Sequence, residues 1–287
     1  MINKTKYQHM SQKKLNNSLL DACINGNLEV VQFLLTSPDL TEQADIYYKD
    51  ISGVDAIITA CHYGYLDIVQ YLLTSPELKE HANIHHKTHN GSNALMVACR
   101  RGHLDIVQYL LTSHGLTEHA NIHDKDNDGI NALLQACYNG HLDIIHYLLI
   151  SPELTEHANI HHKDNSGYNA LMYASIFGHL DIVQYLLTSQ ELKAHANIHH
   201  KNNYEENALM IACEKRHLDI VQYLIIDIGI KVDENTMVWL QGNNNSKKVY
   251  EDTLKLIEIR DLHQQLDKSI DSDTININKK KIKEIKI

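Results

Sequence analysis

Two residue types invite a chemical reading of this 287-residue chain, its five cysteines and its 21 histidines. Thiolate and imidazole form the usual nucleophile–base pair and the usual zinc ligands. The cysteines are Cys23, Cys61, Cys99, Cys137 and Cys213, all 38 residues or a multiple of 38 apart, with Ser175 at the missing place. Neither a second cysteine nor a carboxylate recurs at a zinc spacing, and no base is paired with any of the five. The histidines also fall into columns. His103, His141, His179 and His217 form one, and His81, His119, His157 and His195 another. The loop pairs are His85/His86, His161/His162 and His199/His200, with His123 alone in its unit. Adjacent side chains on an extended loop point apart, and members of a column lie a whole unit apart. Metal–ligand bonds are only about 2 Å long. The expectation is therefore no metal, no cofactor and no catalytic residue. So many groups titrating near pH 6.5 do suggest a pH-sensitive array.

Composition narrows the classes further. Apolar residues make up 43% of the chain, as in soluble globular proteins. The formal charge is −10, against nucleic acid as the main partner. No apolar run reaches the length of a membrane span, and the polar start MINKTKYQHM has no secretory h-region. No phosphate-cradling glycine loop, nucleophile elbow or kinase signature occurs.

What positions all these residues is a repeat. Gly26, Gly64, Gly102, Gly140 and Gly178 are spaced by 38, and LDIVQYLLTS recurs at Leu66, Leu104 and Leu180. Each unit reads as turn, helix, helix, loop. In the third, Asn93 caps ALMVAC, and Gly102 closes that helix. A second helix then starts near Leu104, with Leu104, Val107, Leu110 and Leu111 on one side. In the SPEL segment, Ser75 and Pro76 suggest a short extra turn. Loop residues lead to a turn at Gly91, Gly129 or Gly167.

GHLDIVQYLL and the HANIH loop resemble the ankyrin repeat, over about residues 13 to 232. The family unit is about 33 residues, so the TSPELTE segment here is an insertion. The family's Thr-Pro-Leu-His is replaced by NALM. The resemblance implies an all-α solenoid of stacked helix-turn-helix units with β-turn loops, plus a C-terminal helical cap. The Gly-His column would support loops through hydrogen bonds. Expected boundaries are a polar segment 1–12 and repeats at 13–49, 50–87, 88–125, 126–163, 164–201 and 202–232. A capping or accessory helical region 233–272 and a basic flexible tail 273–287 would follow. Trp239 and a Gly/Asn/Ser stretch precede a helix expected from Val249 to Leu266, whose apolar stripe breaks at Arg260 and Asp261.

The columns divide the first helix. Leu95, Ala98 and Cys99 share one side and hardly vary among units, as a stacking core would. Consecutive helices stack about 10 Å apart, beyond the 7 Å a disulfide allows, so the cysteines are expected as buried thiols in a reducing compartment. Val97, Arg100 and Arg101 share the other side, where the columns vary freely. The resemblance places that side and the turn tips on a concave partner-binding surface. The expected anchors are Tyr63, Arg100, Arg101, Tyr138, Tyr173, Phe177, Gln135 and Lys215. The functional expectation is a monomeric, non-catalytic scaffold or adaptor for one or more proteins, intracellular, or in a host cell if it is a secreted effector. The alternatives are a modifier with its activity in 233–287, or an array that inhibits by occlusion.

Overall fold

A computed structural model describes residues 6–192, 194–232, 236–238 and 247–268. The expectations for Trp239, the Gly/Asn/Ser stretch and the basic tail lie outside these residues. The helices come in pairs: α1 (Gln12–Ile24) and α2 (Leu28–Thr36); α3 (Ala56–Tyr63) and α4 (Leu66–Thr74); α5 (Ala94–Arg101) and α6 (Leu104–Thr112). Then follow α7 (Ala132–Asn139) and α8 (Leu142–Ile150); α9 (Ala170–Phe177) and α10 (Leu180–Thr188); α11 (Ala208–Lys215) and α12 (Leu218–Gln222). A π-helical turn, Tyr223–Asp227, continues α12, and a C-terminal helix spans Lys247–Lys268. The only β pairing among the described residues is three isolated bridges, Lys87–Asn93, Lys125–Asn131 and Lys163–Asn169, which bracket turns. The fold class is the all-α solenoid expected from the sequence.

Local chemistry starts and stops each first helix. The side chain of Asn93 accepts from the Met96 amide at 3.0 Å, and Asn131 and Asn207 do the same for Leu134 and Met210. Such a cap contributes about 1 kcal/mol. At the other end Gly102 takes φ +80°, and its amide returns to the Ala98 carbonyl. Second helices begin with an aspartate whose carboxylate accepts the next amide, as Asp105 does from Ile106 at 2.8 Å. The inserted segment forms one turn, closed by the Leu78 amide on the Ser75 carbonyl at 3.2 Å. The loop histidines then bind back to the end of the second helix. His81 meets the Ser75 carbonyl at 3.0 Å, and His119, His157 and His195 meet the equivalent serine carbonyls.

Packing divides the chain into two compact units, Met1–Ala170 with Glu191–Ala194, and Leu171–Gln190 with His195–Ile287. In the first, α5 lies between α3 and α7 with α6 behind it. Every residue from Ala94 to Cys99 is buried as a result. Ala60, Ala98 and Ala136 are fully buried, and so are Cys61, Cys99 and Cys137. Small side chains there let neighbouring helices approach closely, while Leu72 and Leu110 fill the space behind. At the amino end Tyr7 is buried, its ring 5.8 Å from that of Phe33. The supposedly polar leading segment therefore contributes to the core, because α2 needs a cover on its open side.

Successive pairs are joined by the Gly-His column. The His141 ring lies over Gly102 and reaches the Arg100 carbonyl at 3.2 Å, one of the carbonyls that a helix end leaves unpaired. His103 does this for the His62 carbonyl at 3.3 Å. In the second unit His217 does it for Ile176 at 2.9 Å. A Cβ on Gly102 would stand 2.6 Å from the His141 ring, so the glycine is required both for its positive φ and for this approach. In the last repeat Glu205 and Arg216 occupy the glycine columns and adopt φ 63°, a conformation that costs a non-glycine residue about 1 kcal/mol or more.

The C-terminal helix packs on α12 and the π-helical turn. Thr253, Leu256, Ile259 and Leu262 are buried, and Thr253 Oγ1 lies 3.9 Å from Cys213 Sγ. The break in the stripe has a use: Arg260 donates to the Ile230 carbonyl at 2.9 Å while pairing with Asp261.

Gly102→Ala should destabilise the protein by about 2 kcal/mol in urea unfolding, whereas Arg216→Gly should be neutral or stabilise it by up to about 1 kcal/mol. Burial pushes the Cys23 and Cys213 thiols up to about 12, and those of Cys61, Cys99 and Cys137 higher still. An aromatic disulfide reagent should therefore titrate no thiol in the native protein and all five after unfolding. A chain ending at residue 232 should expose one, Cys213.

Candidate partner-binding surface

In the first unit α3, α5 and α7 emerge from the core only at their last turn. On α5 this leaves Arg100 half-buried and Arg101 exposed, and on α3 it leaves His62 and Tyr63. The turn tips rise beside these ends and are tied to one another through the backbone. The Asn127 amide donates to the Asn90 carbonyl at 3.0 Å, and the Asn127 side chain donates to the His89 carbonyl at 2.9 Å. Asn165 repeats both bonds on the next tip. Within three of the tips an aspartate, Asp50, Asp126 or Asp164, accepts two amides, as Asp126 does from Asp128 and Ile130. The tips are thus held in register before any partner arrives.

Between tips and helix ends of the first three repeats runs an open groove of about 670 Å³. Its floor includes Leu20, Ile58, Thr59 and Val97, and its walls Ile24, Ile51, Tyr63, His89 and Arg100. Ile51 stands at the second repeat's tip and is 97% exposed. Arg101 lies against His62, with Nη2 at 2.8 Å from Nε2. The His62 and Tyr63 rings meet at a centroid distance of 4.7 Å. Burial and the two arginines beside it lower the His62 pKa, so its ring stays neutral and can accept from Arg101.

The expected anchors separate by depth. Tyr63, Tyr138 and Phe177 are exposed, and Arg101 and Lys215 are too. Lys215 is paired with Glu214 at 2.9 Å. Gln135 and Tyr173 depart from the expected open column, because both are buried, at 6% and 8% exposure. So are Thr59, Val97 and Ile211 in the same column. The helix does not have one sealed and one open flank: on α5, neighbours on both sides close everything before the final turn. The sequence reading placed His89 at a turn tip but missed Ile51 and Ile24. An aliphatic residue at a tip position that is His89, Asn127, Asn165 or Asn203 elsewhere was the available signal.

Among the described residues no group of three or more His, Cys, Asp or Glu is placed to hold a metal ion. Most column histidines donate to backbone carbonyls through Nε2. Others meet glutamate at the surface, His85–Glu118 at 3.1 Å, His123–Glu156 at 3.2 Å and His146–Glu191 at 3.0 Å. No described helix is long and apolar enough to cross a membrane.

A family model described as ankyrin repeats (3 copies) matches residues 3–79, 19–121, 76–156 and 150–236. The chain is an ankyrin-repeat protein. No curated protein matches it. Ankyrin repeats are in general protein–protein interaction modules. In this ankyrin array the 38-residue unit keeps the helix pair and adds its extra residues beyond the second helix, away from the groove.

Gln135→Ala and Tyr173→Ala should each lower stability by about 1–3 kcal/mol, while Tyr63→Ala and Tyr138→Ala should stay within about 0.5 kcal/mol. Chemical unfolding of the four variants checks the division between core and surface.

Proposed function

We propose that this protein is a scaffold or adaptor that binds a protein partner along its first-helix ends and turn tips, without catalysis. The observation that carries the reading is a contrast between columns. Alanine recurs at 60, 98, 136, 174 and 212, all fully buried, whereas the exposed helix ends carry Tyr63, Arg101, Tyr138, Phe177 and Lys215. Packing dictates the first set and leaves the second free for another selection. Rigid tips and aromatic and arginine side chains at the rim suit an interface, because such groups supply most binding energy. The buried free thiols fit a reducing, intracellular setting. The C-terminal helix spends its apolar stripe on the last repeat, which favours a cap over a separate effector activity.

Affinity capture from a lysate of the source cells tests the proposal. Replacing Arg100, Tyr138 and Phe177 together by Ala should abolish capture of a stoichiometric protein and leave the melting temperature within a few degrees. Equal capture by both forms, or unfolding of the variant, would remove the basis for this surface.

A further inference from the structure

The groove in the first three repeats has a chemical character of its own, and that character names a class of partner. The chain carries a formal charge of −10; the groove lining holds Arg100, with Arg101 beside it, and one carboxylate, Asp50, whose Oδ1 is already taken by the Ser52 and Val54 amides. Arg100 and Arg101 sit at helix-end positions that hold no other arginine, and the turn aspartate seen at Asp50, Asp126 and Asp164 is Thr88 in their repeat. The third repeat thus has two guanidinium groups and no turn carboxylate of its own.

One of the Arg100 donors is also unspent. Arg100 Nε is buried and donates to nothing, although it lies in the groove wall. Asp126 acts on Arg100 electrostatically, but its Oδ1 is held by two amides of its own turn and no ion pair with Arg100 forms. Ser92, only 2% exposed, lines the same groove, and its hydroxyl has no partner either. Buried donors without acceptors are costly, by about 1–3 kcal/mol each. Two of them in one open groove mark a place where acceptor oxygens are supplied from outside. Ile51 and Tyr63 add an uncovered apolar wall beside these donors.

We propose that the groove is a subsite for an acidic peptide segment of a protein partner. A carboxylate of that segment accepts from Arg100, with Ser92 donating to a further oxygen, and an aliphatic or aromatic neighbour packs on Ile51 and Tyr63. Arg101, held by His62, raises the local potential without entering the contact. This rests on the reading of the surface as an interaction site and goes beyond it by fixing the chemistry of what is read.

The test uses the full chain and three sets of acetylated, amidated twelve-residue peptides with Leu and Phe interspersed. The first set carries Glu at every third position, the second Gln and the third phosphoserine. Glu peptides should bind at least tenfold more tightly than Gln peptides, and binding should weaken severalfold between 50 and 500 mM salt. Arg100→Gln should reduce Glu-peptide affinity at least tenfold, Arg100→Lys should restore part of it, and Ser92→Ala should cost less. The Arg100 Nε–H resonance should shift on titration with Glu peptides. Equal binding of Gln peptides, tenfold preference for phosphoserine, no binding of Glu peptides at millimolar concentration, or an unchanged affinity in a folded Arg100→Gln protein each overturns the proposal. Should any of these occur while the triple variant still loses its captured partner, the acidic-peptide reading falls and the interaction surface stands.

Discussion

A helix pair of this length cannot finish itself. Its first helix leaves an apolar flank and an unpaired carbonyl end, and the pair that follows supplies the cover for both. The glycine and histidine columns show the coupling at atomic scale. Gly102 has no Cβ, so the His141 ring can lie over it and reach the Arg100 carbonyl. One side chain thereby caps a helix that belongs to its neighbour. Stability in such an array comes from nearest-neighbour contacts more than from any unit alone. The same dependence explains the ends. Tyr7 covers one side of the first repeat, and the C-terminal helix covers α12 and the π-helical turn with Thr253 and Leu256.

That mode of packing also decides where chemistry is possible. Thiols within the stack are shielded and their pKa values are driven up, so the cysteine column is structural. Nine histidines are committed to carbonyls, which makes them braces for the insertion, the tips and the helix ends. What escapes on α3, α5 and α7 is the final turn of the helix and the tips zipped beside it. These positions are rigid, since the backbone bonds of Asn127 and Asn165 fix neighbouring tips. They are also free to vary, since nothing in the core rests on them. A surface with both properties suits recognition, because ordering costs have already been met in the folded state.

On the reading proposed above, the charge of the third repeat gives this surface a local preference. Arg100 lies half-buried with an unsatisfied donor, and the tip beside it lacks the aspartate that its counterparts carry. Burial and Arg101 alongside lower the pKa of the guanidinium and Asp126 offsets part of this; a carboxylate of the proposed peptide would act in the same direction as Asp126. The apolar wall formed by Ile51 and Tyr63 then adds area to a contact that charge alone would leave weak.

The sequence by itself determined the repeat length, the helix pairs, their caps and the Ala and Cys columns of the core. Each of these depends on neighbours a few residues away or on a period of 38, and both are visible in one dimension. It also pointed to Tyr63, Arg100 and Arg101. Only the tertiary structure decided that Gln135 and Tyr173 are buried, that Ile51 projects from its tip, and that Arg260 clamps the end of the last repeat. The reason is geometric. Periodicity assigns a residue to a side of its helix, but exposure depends on how many neighbours close around that side. In α5 they close around everything except the last turn.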